Sequence, residues 1–153
     1  MVLAFWPPPP TGYHPAINAN MSQTMAPYEG GCLCRQVRWR ANAELINVRL
    51  CHCRSCRAAT GGPFYARALF MDVDVERSGE TTRWVSSDRL HRLSCLKCGT
   101  PVFAEPQDGP WITVALGTLD DPNALPPGSH IWVDHKVVWL CLDDGLPQFP
   151  RGA

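Results

Sequence analysis

Apolar and polar residues alternate with a period of two in several short stretches of the chain, and clusters of Gly and Pro separate these stretches. Successive side chains of a β-strand point to opposite faces, so this alternation predicts strands that bury one face. The separating Gly and Pro residues are typical of turns. Strands are predicted over residues 36–40, 46–50, 65–70, 82–85, 90–94, 101–104, 111–115, 130–133 and 137–142.

Helical periodicity is confined to one short turn, which is predicted over residues 54–59. Residues 1–27 contain a run of four prolines and a polar stretch without periodic apolar positions. This composition predicts an irregular, proline-rich tail. The chain is therefore interpreted as an all-β domain over residues 28–150 that follows this tail.

Length and composition are those of one small domain. The chain has 153 residues, of which 45% are hydrophobic, and a formal net charge of zero, which suffices for one core. Because the domain is not basic, no nucleic-acid partner is predicted. No apolar run approaches the length of a membrane span, and prolines interrupt the N-terminal apolar residues where a secretion signal would continue. A cytoplasmic protein without a membrane partner is expected.

Charge is unevenly distributed along the chain. Residues 29–71 contain seven arginines and two acidic residues, whereas residues 101–150 contain seven acidic residues and one lysine. Solvated surface on both halves is the simpler interpretation. The functional alternative is a local positive field from Arg54, Arg57 and Arg67, which would favour thiolates and attract a small anion.

Seven of the eight cysteines lie in three tight clusters. A closed structural zinc site takes four ligands, whereas a zinc site that keeps a position for chemistry takes three from the protein. The outer clusters hold two cysteines each and need one another, while the middle cluster already offers three. The sequence therefore predicts two zinc ions per chain. The predicted ligands are Cys32, Cys34, Cys95 and Cys98 for a structural zinc, and Cys51, Cys53 and Cys56 for a second, open site.

Disulfide bonds are the alternative use of eight cysteines. Cysteines separated by a single residue bridge poorly to each other, and nothing in the sequence indicates secretion. Metal-bound thiolates in a reducing compartment explain the spacing better. Cys141 is left over; it lies in an apolar run and is predicted to be a buried free cysteine.

Other residues near these motifs have two interpretations. His52 lies between two predicted ligands and would point away from them on a strand, which favours a structural hydrogen bond over metal binding. If His52 did complete the second site, that site would be closed and structural. His130 is either a functional residue or the anchor of a turn. Packing or turn roles are predicted for Trp111, Trp132, Trp139, Asp143 and Asp144, although one tryptophan could wall a cleft.

The cysteine clusters belong to longer motifs, which are GCLC at residues 31–34, CHCRSCR at 51–57 and SCLKCGT at 94–100. Together with the downstream segments 116–122, 130–132 and 144–149, they resemble the glutathione-dependent formaldehyde-activating enzyme family, which includes centromere protein V. The resemblance covers roughly residues 29–149 and leaves the tail unmatched.

This resemblance implies a β-tent fold of small antiparallel sheets held together by zinc. It implies the same division of the cysteines that their spacing predicts, with the second zinc near the substrate. The family name implies glutathione as co-substrate and formaldehyde as the aldehyde. The product would be S-hydroxymethylglutathione, formed by a carbon–sulfur lyase reaction run in reverse.

Arg57, Gly61 and Gly62 directly follow the open site and are predicted substrate contacts. The alternative to a zinc-dependent lyase is a non-catalytic zinc module that binds a small thiol or a protein partner. The fourth ligand of the second site distinguishes the two, because water or an exogenous thiol favours the enzyme and a protein side chain favours the module.

Overall fold

The computed structural model describes residues 27–42 and 44–152, so the predicted tail lies, apart from Pro27, outside the described residues. One α-helix, α1, spans Arg54–Thr60, and 3-10 turns span Asp72–Asp74, Leu116–Thr118 and Val133–His135. The strands are β1 (Tyr28–Gly31), β2 (Arg38–Ala41), β3 (Asn47–Cys51), β4 (Tyr65–Met71), β5 (Val75–Ser78), β6 (Thr81–Ser87), β7 (Leu90–Cys95), β8 (Pro101–Pro106), β9 (Trp111–Ala115), β10 (Ser129–Ile131) and β11 (Gln148–Phe149). No helix among these residues is long and apolar enough to cross a membrane.

The all-β prediction is confirmed, and the strands form two sheets. The small sheet has the order β1-β2-β5 and is antiparallel throughout. The large sheet has the order β11-β10-β3-β4-β9-β8-β7-β6. Its pairs are antiparallel except at one edge, where β10 runs parallel to both β3 and β11. The structure thus contains a small antiparallel sheet of the expected kind and, in addition, a larger sheet.

The predicted strand over residues 137–142 is wrong, although its residues are apolar. Leu140 N–H donates to the carbonyl of Val137 in a turn at 3.2 Å. The ammonium group of Lys136 donates hydrogen bonds to the carbonyl oxygens of Val137 and Leu140, so these two carbonyl groups do not pair with a neighbouring strand. In consequence Trp139 is 69% exposed and Cys141 is exposed, which overturns the predictions that they are buried. The alternation also missed β1, β5 and β11, which have two to four residues.

The two faces of the large sheet have different roles. Alternate residues of β4 and β9, such as Phe70 and Ile112, point to one face and are fully buried in the main core, to which Trp39 of β2 also belongs. The intervening residues point to the other face, where a second and smaller cluster surrounds Cys51. β9 is therefore covered on both sides, which explains why all its residues after Trp111 are buried.

Gly79 lies where the chain leaves the small sheet at β5 and enters the large sheet at β6. Its φ of +88° belongs to the left-handed region, and an added Cβ atom would lie 1.9 Å from the carbonyl oxygen of Gln36. The next residue, Glu80, accepts a hydrogen bond from Leu96 N–H at 3.1 Å. This link therefore contacts segments next to both outer cysteine clusters, and only glycine fits there.

Gly79→Ala is expected to lower the free energy of unfolding by roughly 3 kcal/mol, because the side chain adds a steric overlap to an unfavourable φ. Gly145→Ala is the matched control. Its φ is +72° but an added Cβ meets nothing within 4 Å, so the expected loss is only about 1 kcal/mol. Urea unfolding of the two metal-loaded variants measures the difference, and equal losses would contradict the proposed close approach at Gly79.

Candidate metal centres and active-site cavity

The four-cysteine cluster joins the two sheets. Cys32 and Cys34 lie in the turn between β1 and β2, where Cys32 N–H donates to the carbonyl of Val37 at 3.0 Å. Cys95 ends β7, and the turn that follows brings Cys98 back beside it. The Sγ atom of Cys34 lies 3.5 Å from that of Cys32 and 3.7 Å from that of Cys95. All four sulfur atoms lie within 4.8 Å of one another.

This geometry fits a single tetrahedral metal ion. A zinc–sulfur distance of about 2.3 Å gives tetrahedron edges of about 3.8 Å, close to the two sulfur–sulfur distances. Neighbouring donors also favour thiolates, since Val37 N–H donates to Cys32 Sγ at 3.2 Å. A hydrogen bond with the Thr100 hydroxyl lowers the pKa of Cys98 to about 5. The four-cysteine cluster therefore has the donor atoms and distances of a metal centre.

The three-cysteine cluster lies on the opposite face of the large sheet. Cys51 ends β3, Cys53 caps α1 by accepting a bond from Cys56 N–H at 3.4 Å, and Cys56 is the buried residue of that helix. Their sulfur atoms also lie within 4.8 Å of one another. Hydrogen bonds with Cys53 and Cys56 raise the pKa of Cys51, whereas bonds with Cys51 and Cys56 lower the pKa of Cys53 to about 2. Such competition for protons follows from the convergence of the three sulfur atoms.

His52 does not join the three-cysteine cluster. Its ring is fully buried, and Nε2 lies 2.9 Å from Nδ1 of His130. Nε2 of His130 in turn lies 2.8 Å from Oδ2 of Asp144. Burial and the charge of His130 lower the pKa of His52 to about 4, so His52 is neutral near pH 7. The pair of histidines thus makes the structural hydrogen bond that the sequence favoured, and Asp144 both shapes a turn and anchors His130.

Among the described residues, no fourth Cys, His, Asp or Glu side chain groups with the three cysteines. The cluster instead faces a cavity of about 640 Å³. The lining includes Cys51, Cys53 and Cys56, and it includes apolar side chains of Leu69, Trp111 and Trp132. A three-sulfur metal site would therefore have room beside it for a ligand that the chain does not supply.

The cavity is positively charged. Its lining contains Arg49, Arg54, Arg67 and Arg92, and no Asp or Glu among the described residues lines it. Arg49 and Arg67 are direct cross-strand partners on β3 and β4. Burial and the charge of Arg49 lower the pKa of Arg67, and its guanidinium donates to Asn47 Oδ1 at 2.8 Å. Like charges directly opposite one another are unfavourable, so an anion in the cavity that contacts both guanidinium groups would reduce their repulsion.

Arg92 is a cavity arginine that contacts the three-cysteine cluster directly. It is only 4% exposed, and its Nη2 donates to the Sγ atom of Cys56 at 3.3 Å. Its Nε donates to Ser86 Oγ at 3.0 Å, and its guanidinium lies over the ring of Tyr65 at 5.4 Å. The three contacts hold a positive charge directly beside the three-cysteine cluster.

The predicted substrate contacts after the second site lie elsewhere. Arg57 donates from Nε to the carbonyl of His52 at 3.2 Å, and Gly61 ends α1 as its C-cap. Neither of them, nor Gly62, belongs to the cavity lining, and substrate contact by these residues stays a prediction. Arg54 and Arg67 of the predicted positive field do line the cavity, as does His135, to which the sequence assigned no role.

Sequence reasoning missed Arg49 and Arg92 as cavity residues. A signal was available at Arg49, because it precedes Cys51 by two positions and shares its face of a strand. Arg92 is 36 positions from Cys56, and only the order of strands in the sheet brings them together.

Comparison with known proteins agrees with this architecture. A Schizosaccharomyces pombe protein named as an uncharacterized lyase is 32% identical over 79 residues, which cover 52% of this chain and 58% of that relative. The chain thus spans little more than half the length of that protein. A crystal structure of a Rhodobacter sphaeroides protein has a TM-score of 0.52 at 20% identity, covering 79% of this chain and 98% of the other. At that identity the likeness shows the fold alone.

The family comparison extends over most of the described chain. The sequence profile of the glutathione-dependent formaldehyde-activating enzyme matches residues 27–135. This range contains both outer cysteine clusters, the three-cysteine cluster and the four cavity arginines. The chain belongs to the glutathione-dependent formaldehyde-activating enzyme family.

Proposed function

We propose that this protein is a carbon–sulfur lyase-type enzyme that forms or cleaves an adduct between glutathione and an aldehyde, with formaldehyde as the expected aldehyde. The observation that carries the proposal is the three-cysteine cluster at the wall of an arginine-lined cavity. Family membership and the lyase name of the S. pombe relative support this class of reaction.

Two zinc ions are the proposed cofactors. Cys32, Cys34, Cys95 and Cys98 would hold a structural ion, and Cys51, Cys53 and Cys56 would hold the second. The second ion, when bound, would supply a position at which a thiol loses its proton readily. Its location in the cavity wall, rather than in the core between the sheets, supports a role in chemistry.

The arginines of the cavity would bind the anionic co-substrate. Glutathione has two carboxylates and one ammonium group, so it carries a net negative charge near neutral pH. Arg49 and Arg67 lie side by side across two strands and would accept a carboxylate between them. Arg54 at the start of α1 offers a further cation at the cavity wall. Binding at these groups would orient the thiol toward the cysteines.

The reaction itself is an addition to a carbonyl group. The sulfur of glutathione bonds to the carbonyl carbon as the π bond of the carbonyl group breaks, and the proton lost by the thiol ends on the former carbonyl oxygen. The reverse reaction breaks the same bond and returns thiol and aldehyde. Arg92 would hold positive charge beside the reacting sulfur, and the apolar walls at Trp111 and Trp132 would limit the access of water.

A non-catalytic zinc module is the competing function. Such a module would close its second site with a protein side chain. Among the described residues, no further Cys, His, Asp or Glu side chain lies in the three-cysteine cluster, and His52 is hydrogen-bonded to His130 instead. These two observations support the enzyme over the module.

Substitutions at the first metal site should affect stability, whereas substitutions at the second should affect function. The full-length protein is expected to bind two zinc ions. Cys95→Ser should unfold the domain, because a structural zinc site contributes about 10 kcal/mol or more, which matches the whole stability of a small domain. Cys53→Ser should stay folded with one zinc, since serine is also a good N-cap for α1. Elemental analysis and thermal melts measure both effects. A zinc content near one in the wild type, or equal unfolding by both variants, would contradict the two-site assignment.

Catalysis can be measured by the exchange of ¹³C-labelled formaldehyde with its glutathione adduct in NMR spectra. The zinc-loaded wild type should accelerate this exchange, and Cys56→Ser should reduce the rate to that of the uncatalysed reaction, because the second site loses a ligand. Cys141→Ser is the matched control, since Cys141 is exposed and lies outside both clusters. If the wild type binds glutathione without accelerating exchange, the protein is a binding module.

A further inference from the structure

Arg92 has an unusual environment for a buried arginine. The groups that its guanidinium contacts are a sulfur atom, a hydroxyl group and an aromatic ring, which belong to Cys56, Ser86 and Tyr65. No carboxylate of a described residue lies within ion-pair distance of it, although other arginines such as Arg83 on β6 have one. A buried charge is costly unless an opposite charge offsets it. The nearest group that can carry negative charge is the three-cysteine cluster.

The charge of that cluster explains the pairing. Three thiolates and one divalent ion leave one net negative charge, and an anionic fourth ligand would raise this to two. Each added negative charge would be unfavourable in a partly enclosed cavity. The guanidinium of an arginine carries a delocalised positive charge. The guanidinium of Arg92 beside Cys56 therefore offsets negative charge on the cluster.

We infer that Arg92 is a positioning and charge-compensating residue that makes the Cys51, Cys53 and Cys56 metal site select an anionic fourth ligand over a neutral one. This inference rests on the proposed function, because it assumes that the second site holds a divalent ion and takes an external ligand. It assigns to Arg92 the selection of a thiolate, whereas Arg49 and Arg67 would bind the carboxylates at the far end of the same molecule.

The inference differs from a merely structural role. If Arg92 only filled space against Tyr65, its removal would weaken every ligand of the metal alike. If its charge selects the ligand, its removal lowers the affinity for an anionic ligand and leaves the affinity for a neutral ligand of similar size unchanged. The two ligands must lack carboxylates, so that the other cavity arginines do not contribute. 2-Mercaptoethanol, which would bind as a thiolate, and imidazole, which would bind neutral, meet this requirement.

The test uses full-length protein loaded with Co²⁺, whose visible absorption reports on its ligands. Each protein is titrated with 2-mercaptoethanol and with imidazole at one fixed pH. Arg92→Met is expected to lower the affinity for 2-mercaptoethanol about tenfold or more, the equivalent of about 1.4 kcal/mol. The same substitution should change the affinity for imidazole less than twofold. Arg83→Met is the control, because it removes an arginine charge from the neighbouring strand outside the cavity.

Other outcomes would overturn the inference. Equal weakening of both ligands in Arg92→Met, or an unchanged affinity for both, would show that its charge does not select the ligand. If Arg92→Met does not fold, Arg92→Lys is the variant that tests the inference, since lysine keeps the positive charge. Its thiolate-to-imidazole affinity ratio should stay within threefold of wild type, and a tenfold fall would overturn the inference. Wild-type protein that binds neither ligand would instead contradict the open site and, with it, the proposed function.

Discussion

The convergence of four sulfur atoms at the junction of two sheets is the constraint on which the rest of the structure depends. Cys32 and Cys34 come from the small sheet, and Cys95 and Cys98 come from the end of a strand in the large sheet. Four thiolates at these distances repel one another unless a cation compensates their charge. A metal ion there would fix the two sheets relative to one another, because Cys34 and Cys95 are 61 positions apart and the loop that they close is long. The main core between the sheets can then be small.

The large sheet places stability and chemistry on opposite faces. Since side chains alternate along each strand, Phe70 packs into the core while its neighbour Leu69 lines the cavity. The same alternation brings Arg49, Arg67 and Arg92 onto the cavity face from three different strands. Placing several positive charges together costs stability, which is a common property of sites that bind anions. The core on the other face offsets that cost.

The two cysteine clusters differ in how they are built. The four-cysteine cluster needs two distant segments, whereas the three-cysteine cluster comes from six consecutive residues at the junction of β3 and α1. The local cluster constrains little of the chain, so its loss should affect ligand binding more than folding. His52, which lies between Cys51 and Cys53, is hydrogen-bonded to His130, and His130 is hydrogen-bonded to Asp144. These bonds anchor the backbone between the two cysteines. This support leaves the cavity side of the cluster free for a ligand.

The sequence by itself determined the β-rich class, most strands, the short helix and the grouping of seven cysteines into four and three, because these features depend on local spacing and alternation. It misjudged residues 137–142, whose apolar composition resembles a strand but in which the carbonyl groups of Val137 and Leu140 accept hydrogen bonds from Lys136. Only the tertiary structure decided that His130 is the hydrogen-bond partner of His52, and that Arg92 lies beside Cys56. Both contacts join residues 78 or 36 positions apart. They follow from the order of strands in the large sheet, which no local pattern in the sequence specifies.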